Sequence, residues 1–343
     1  MRIGLDARTI VGEAGVAQYG MNLITALKNI DKIDDFVVFK REGGRIPFIT
    51  SHIFDRYKIL AAKINLLHIL GGTAPFGYRG RYILTVHDLA IYKHPEWFPD
   101  GQWFSMQISF PSTVKKARHI IAPSEATKKD LIEIMNVKES KISVIQHGVN
   151  FFKEISPKEK KENFILFLGT IEPRKNVETL VRAYRAMVDR FPELKNFELR
   201  LAGLVGWKSD VIIDEIRKTQ CEGYRISLLG LVSEEGKRQL LSNASCFVYP
   251  SHYEGFGLPV LEALAVGTPV VCSNSSSLPE VAGDAAILID SNDVDGFANA
   301  MAKVLKEQKI ADELREKGLA RALELSWEKT AAATIKIYRD FSV

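Results

Sequence analysis

Short apolar runs alternate along the whole chain with longer segments whose apolar residues return every three or four positions. Arg2–Asp6, Phe36–Phe39, Ile64–Ile69, Tyr82–Val86, His119–Ala122 and Lys141–Ile145 read as strands in the first half. Phe164–Leu168, Glu198–Gly203, Ile226–Leu229, Cys246–Tyr249 and Thr268–Cys272 follow in the second. Val16, Tyr19, Leu23 and Leu27 share one face of a first helix. Further helices cover Glu125–Met135, Val177–Arg190, Glu234–Ser242, Val294–Leu305 and Ala311–Leu325, with Ser124, Asn176 and Ser233 as N-caps. Strand, glycine loop and helix in succession is the unit of a dinucleotide-binding fold, so the chain is α/β. The polar run Ser156–Asn163 has no apolar period and divides residues 1–155 from residues 156–326.

The chemistry is densest from Val248 to Gly267. A strand ends at Pro250, a loop carries Glu254, Gly255, Phe256 and Gly257, and Leu258-Pro259 opens an Ala/Leu-rich helix that stops at Gly267. Glycines let backbone N–H groups approach a ligand, and a helix N-terminus adds unpaired donors with partial positive charge, a combination suited to phosphate. Glu254 in the loop and Glu262, read as lying in the first helical turn, accept hydroxyl donors and repel bare phosphate. The ligand implied is a sugar nucleotide. Arg174 and Lys175, between a strand's carboxyl end and a helix start, can reach its diphosphate. His87-Asp88 follows Tyr82–Val86 at the strand edge where open α/β sheets bind ligands.

The 343 residues, 46% hydrophobic and 26% charged, suit two soluble globular domains. With no apolar run of about 18 residues and no signal peptide visible, the cytoplasm is the expected compartment. Cys221, Cys246 and Cys272 lack metal-ligand spacing and read as reduced thiols. The net charge of +4 is unevenly spread, with 21 Lys+Arg against 15 Asp+Glu in residues 1–155 and 25 against 27 in the rest. The basic half could meet an anionic membrane surface or a phosphorylated acceptor. Trp97, Phe98, Trp103, Phe104, Met106 and Phe110, followed by Lys115, Lys116 and Arg118, read either as a core-facing helix or as a membrane-interface stripe.

The string E-G-F-G-L-P-V-L-E-A resembles the Glu-x7-Glu signature of the retaining GT-B glycosyltransferases of family four, and G-T-x-x-P-R-K-N at Gly169–Asn176 is similar to a second motif of that family. His87-Asp88, His147-Gly148, Leu278-Pro279-Glu280-Val281 and Gly283–Ala286 also resemble it. The loop Gly12-Glu13-Ala14-Gly15 is similar to the family's N-terminal glycine loop but lacks the basic residue of mannosyltransferase-like members.

The resemblance implies two Rossmann-like domains facing an interdomain cleft, with the last helix crossing back so that residues 327–343 join residues 1–155. It implies metal-independent transfer of a hexose, with mannose from GDP-mannose favoured, to a glycan or lipid-linked acceptor hydroxyl in surface polysaccharide synthesis. Arg174 and Lys175 would neutralise the leaving diphosphate, Glu254 would hold sugar hydroxyls, Glu262 the ribose and His87 the sugar's far side. Gly15, Gly255, Phe256, Gly257 and Leu258 would line the donor site. No resident cofactor, metal or nucleic acid is expected; peripheral contact with the inner membrane face is compatible with the basic half. A sugar-nucleotide epimerase or hydrolase of the same fold and a non-catalytic sugar-nucleotide-binding subunit are the alternatives.

Overall fold

The computed structural model describes residues 1–8, 10, 15–32, 34–40, 56–101, 105–150 and 161–341. They form two units: Met1–Lys93, Asp100–Gly148 and Ser326–Val343 in the first, His94–Pro99 and Val149–Leu325 in the second. The expected boundary at residues 155 and 156 lies outside the described residues, as do Gly12, Glu13, Ala14, Trp103, Phe104 and residues 156–160 of the polar run.

Unit 1 is a parallel sheet of β1 (Arg2–Ala7), β2 (Asp35–Lys40), β3 (Leu66–Ile69), β4 (Tyr82–Thr85), β5 (His119–Ala122) and β6 (Ile142–Val144), in the order β2-β1-β3-β4-β5-β6. All four residues of β3, of β4 and of β5 are buried, as expected of parallel strands covered on both faces. Such strands tolerate a polar side chain only if it is hydrogen-bonded. His68 in β3 meets this condition: Nε2 lies 2.8 Å from Thr85 Oγ1 and Nδ1 lies 2.6 Å from the Tyr338 hydroxyl. Tyr19 reaches the same Thr85 hydroxyl at 2.9 Å. Tyr338 belongs to the last helix, Trp327–Phe341, whose Trp327, Ala331, Ile335 and Tyr338 are buried together on one face. This helix packs against Gly15–Ile30 within unit 1.

Unit 2 is a second parallel sheet of β7 (Glu162–Leu168), β8 (Glu198–Ala202), β9 (Ile226–Gly230), β10 (Ala244–Tyr249), β11 (Val270–Ser273) and β12 (Ala286–Ile289). Its order, β12-β11-β10-β7-β8-β9, places the first strand of the unit beside the fourth. From β7 the chain builds outward through β8 and β9, and from β10 it builds the other way through β11 and β12. The point between β7 and β10 is thus the switch point of a Rossmann-type sheet, where ligands bind beyond the carboxyl ends of the strands. Glu162 and Asn163, read as part of a linker, instead open β7.

Among the described residues the aromatic stripe does not form one continuous helix. His94–Pro99 belongs to unit 2, where the Trp97 ring stacks 3.9 Å from His94 and 5.7 Å from His252. The Trp207 indole and the Lys208 ammonium donate to the Trp97 and Glu96 carbonyls, each at 2.7 Å. Phe110 opens the helix Phe110–Lys116 and packs on the core of unit 1. Among the described residues no helix is long and apolar enough to cross a membrane.

Two predictions follow from unit 1. A Cβ on Gly148 would lie 2.0 Å from the Trp327 amide nitrogen and 2.2 Å from the Ser326 carbonyl carbon, both backbone atoms. Gly148→Ala should therefore cost about 3 kcal/mol or more, read as a lowered denaturation midpoint. The second concerns acid. Burial, then the nearby His87, drives His68 down to about 3, and the same causes hold His147 well below its ordinary value. These imidazoles fold neutral, whereas an unfolded histidine gains a proton near about pH 6.5. Their contribution is complete above that pH and is lost as pH falls below it, for His68 toward about 3, by roughly 1.4 kcal/mol per unit for each group. Thermal melts from neutral to mildly acidic pH should show a falling midpoint that His68→Asn flattens; a pH-independent midpoint would contradict the reading.

Candidate functional site

At the switch point of unit 2, β7 runs into Gly169, whose φ of +155° and neighbour Gly203, with φ of +144°, let the two strand ends close together. A Cβ on Gly203 would stand 2.0 Å from the Gly169 carbonyl oxygen. Pro173 then opens a single 3-10 turn, Pro173–Lys175, and the helix Val177–Arg190 follows. Asn176 does not cap that helix. It sits in the left-handed region at φ +55°, and its amide donates to the carbonyls of Pro250 at 3.1 Å and Ser291 at 2.6 Å. The side chain expected to serve the helix locally instead ties the Arg174-Lys175 turn to the loop after β10.

That loop is fixed with equal care. Ser277 Oγ bonds the carbonyls of Glu254 at 2.9 Å and Phe256 at 2.8 Å, and Ser276 Oγ accepts the Glu254 amide at 2.7 Å. Gly257, at φ +110°, precedes the helix Leu258–Ala265, and a Cβ there would meet Leu278 at 2.6 Å. Only glycine fits this turn, which delivers the amide end of the helix to the carboxyl edge of β10.

The two loops meet through charge. Lys175 Nζ donates to Glu254 Oε1 at 2.5 Å, and Arg174 Nη1 lies 3.3 Å from Glu254 Oε2. Ser251 Oγ donates to Glu254 Oε1 at 2.7 Å, the Tyr249 hydroxyl accepts from Lys175 at 2.7 Å, and Glu172 holds Arg174 Nη2 at 2.9 Å. Burial alone would raise the Glu254 carboxyl, but the charges of Lys175 and Arg174 outweigh it and hold the group down to about 2. For Lys175, burial and then Arg174 lower the ammonium while Glu254 opposes them. The site is an ionised cluster rich in fixed donors, a place where an incoming anion finds cations already gathered.

The structure thus brings Arg174, Lys175 and Glu254 together and sets Gly255, Phe256, Gly257 and Leu258 on the loop and helix start beside them. Glu262 lies in the second turn of Leu258–Ala265, not the first, and its Oε1 accepts from Lys237 Nζ at 2.8 Å. Lys237, raised because Glu262 and Glu234 overcome its burial, also reaches Glu234 at 3.0 Å. His87 and Gly15 belong to unit 1 and are not part of this cluster. His87 Nε2 lies 2.7 Å from the Leu70 carbonyl, and its ring meets Tyr19 edge-on at 4.8 Å. A carbonyl only accepts, so Nε2 carries the proton; burial keeps the imidazole below its ordinary value and Nδ1 is left as an acceptor. Gly15 begins Gly15–Ile30, and among the described residues nothing lies within 4 Å of where a Cβ would stand.

Sequence reasoning assigned no role to Glu172, Lys237, Tyr249, Ser251, Ser276 or Ser277. Tyr249 and Ser251 stood inside the motif-bearing stretch, but the Tyr249 hydroxyl meets Lys175, 74 residues upstream, and Ser251 bonds the Arg174 carbonyl, 77 residues upstream, as well as Glu254; the distant partners could not be read locally. Among the described residues no group of three or more His, Cys, Asp or Glu side chains is arranged to hold a metal ion.

Comparison with known proteins agrees with this arrangement. The model of glycosyl transferases group 1 matches residues 149–321, and that of Glycosyltransferase Family 4 matches residues 34–151. An O-antigen chain mannosyltransferase B of Escherichia coli is 34% identical over 76% of this chain and 70% of its own length. The O-antigen chain mannosyltransferase RfbU of Salmonella typhimurium is 28% identical over 84% and 87%. A crystal structure of Anabaena HepE in complex with UDP and glucose superposes with a TM-score of 0.77 over 99% of this chain and 100% of that one, at 16% identity, a likeness of fold. Two Rossmann-type sheets, the paired motifs at the switch point and these matches make the chain a member of the group 1, family 4 glycosyltransferases, with the GT-B fold.

Proposed function

We propose that the protein transfers a hexose, mannose from GDP-mannose, to a hydroxyl of a glycan or lipid-linked acceptor in surface polysaccharide synthesis, with retention of anomeric configuration and without a metal ion. The observation that carries the reading is the pairing of Arg174 and Lys175 with the Glu254 loop at the switch point of unit 2. The O-antigen mannosyltransferases among its relatives support the choice of sugar and product class.

Cleaving a sugar–diphosphate bond leaves positive charge on the ring and negative charge on the departing diphosphate. Preorganised cations and amide dipoles lower the barrier by receiving that negative charge without reorganising. Arg174, Lys175 and the helix start at Gly257–Leu258 fill this part. Glu254 plays two successive roles. In the empty site its carboxylate is counter-ion to both cations; once diphosphate takes those contacts, its oxygens are released to hold sugar hydroxyls. Glu262 is assigned to the ribose, with Lys237 fixing its carboxylate, and the Nδ1 acceptor of His87 to a hydroxyl of the transferred sugar. The charge excess of residues 1–155 supports peripheral attachment at an anionic inner membrane face.

Lys175→Ala should lower turnover by roughly 10²-fold or more, the scale of losing one charge-stabilising donor, while circular dichroism stays native because Glu254 keeps Arg174 and Ser251. Undiminished turnover would refute the assignment. Glu262→Gln, which keeps the side chain's volume, should weaken nucleotide affinity about tenfold in calorimetry with a smaller change in turnover; unchanged affinity would remove the ribose role. Rapid loss of donor without acceptor would favour an epimerase or hydrolase.

A further inference from the structure

One buried group at the site has no task in the reaction as set out above: the hydroxyl of Tyr249, the last residue of β10. Packing does not require it. The ring is fully buried and packs near Phe167 at 5.7 Å and Phe247 at 5.8 Å, both nearly parallel to it, so a third phenylalanine would fill the same space. A buried phenol is costly unless its oxygen is partnered, and here it accepts from Lys175 Nζ at 2.7 Å and hydrogen-bonds the Glu254 carboxylate. An ammonium has three N–H donors in fixed tetrahedral directions. Tyr249 takes one and Glu254 Oε1 takes a second, at 2.5 Å.

We propose that Tyr249 is a positioning residue for the diphosphate: its hydroxyl fixes the Lys175 ammonium, jointly with Glu254 in the empty site, so that the N–H groups it does not hold are presented to a phosphate oxygen. The inference rests on the reading of Lys175 as a diphosphate receiver and adds the group that aims it. When the diphosphate draws on the contacts of Glu254, Tyr249 is the anchor that stays. Its phenol keeps its proton, because burial and then the Glu254 charge place it well above the ordinary range. The charged groups facing Lys175 are Arg174, Glu172 and Glu254, and the first of these, with burial, already favours the neutral amine. Removing the phenol oxygen deletes an acceptor that favours the charged form, so the amine should lose its proton at lower pH.

The test is calorimetric titration with GDP, UDP and ADP, carrying forward whichever binds tightest, on the full chain and on Tyr249→Phe, Lys175→Ala and the double variant. Tyr249→Phe should bind about tenfold more weakly near neutral pH, the size of one hydrogen bond to a charged group, and its alkaline loss of binding should begin about one pH unit lower. The double variant should bind like Lys175→Ala alone, since the hydroxyl acts through that ammonium. Weakening in Lys175→Ala with native affinity and pH profile in Tyr249→Phe would overturn the inference and leave the site reading standing. So would a double variant weaker than Lys175→Ala by the full Tyr249→Phe factor. Native affinity in Lys175→Ala, or no binding of any of the three nucleotides, would overturn the site reading and the inference with it. Tyr249→Leu serves as a second probe; if neither variant at this position folds, the hydroxyl is structural and the proposal fails.

Discussion

The contact on which the site depends is the one between Glu254 and the cations Lys175 and Arg174. Three charges gathered in a buried loop junction are costly to desolvate, and such a cluster persists only where the geometry is good and the remaining polar atoms are bonded. Here Ser251, Tyr249 and Glu172 supply those bonds. The cluster holds together two loops that are otherwise distant in sequence, and it keeps two cations gathered at the end of β7 and β10. Loss of the carboxylate would leave two like charges adjacent; loss of one cation would leave the carboxylate with the other and with Ser251.

What permits it is the topology of unit 2. The switch of strand order between β7 and β10 opens the only direction in which two loops can leave neighbouring strands and turn apart, and both motifs lie on those loops. Close approach is handled by Gly169 and Gly203 at one strand edge and by Gly257 at the helix start. Asn176 couples the turn of Arg174 and Lys175 to Pro250 and Ser291, which ties the cation-bearing turn to the residues that follow β10 and β12.

Much of this was legible in the sequence because the deciding signals are local. The strand His119–Ala122 and the helices Glu125–Met135 and Val177–Arg190 are where apolar period and caps place them, and Ser124 and Ser233 cap as read, each accepting a backbone amide three residues on. The missed strand Ala286–Ile289 is four half-buried residues at a sheet edge, too short and too little buried to announce itself. Asn176 was misread because a polar residue before a helix usually caps it, whereas here tertiary carbonyls outcompete the local amide. The surroundings of Trp97 were not legible, because an aromatic string does not say that its ring stacks on His94 and His252 or that its carbonyl accepts from the Trp207 indole. The motif residues were found from their string, but their mutual engagement was not, since Glu254 and Lys175 stand 79 residues apart.

The central claim is that the departing diphosphate is received by Arg174 and Lys175 at the junction of β7 and β10. A crystal structure with a nucleoside diphosphate bound tests it most directly. The account predicts a phosphate oxygen within about 3 Å of Lys175 Nζ and a second within reach of the Arg174 guanidinium, with the Glu254 carboxylate turned from the cations toward the sugar position. A diphosphate seated elsewhere, with the contacts among Glu254, Lys175 and Arg174 unchanged, would contradict it.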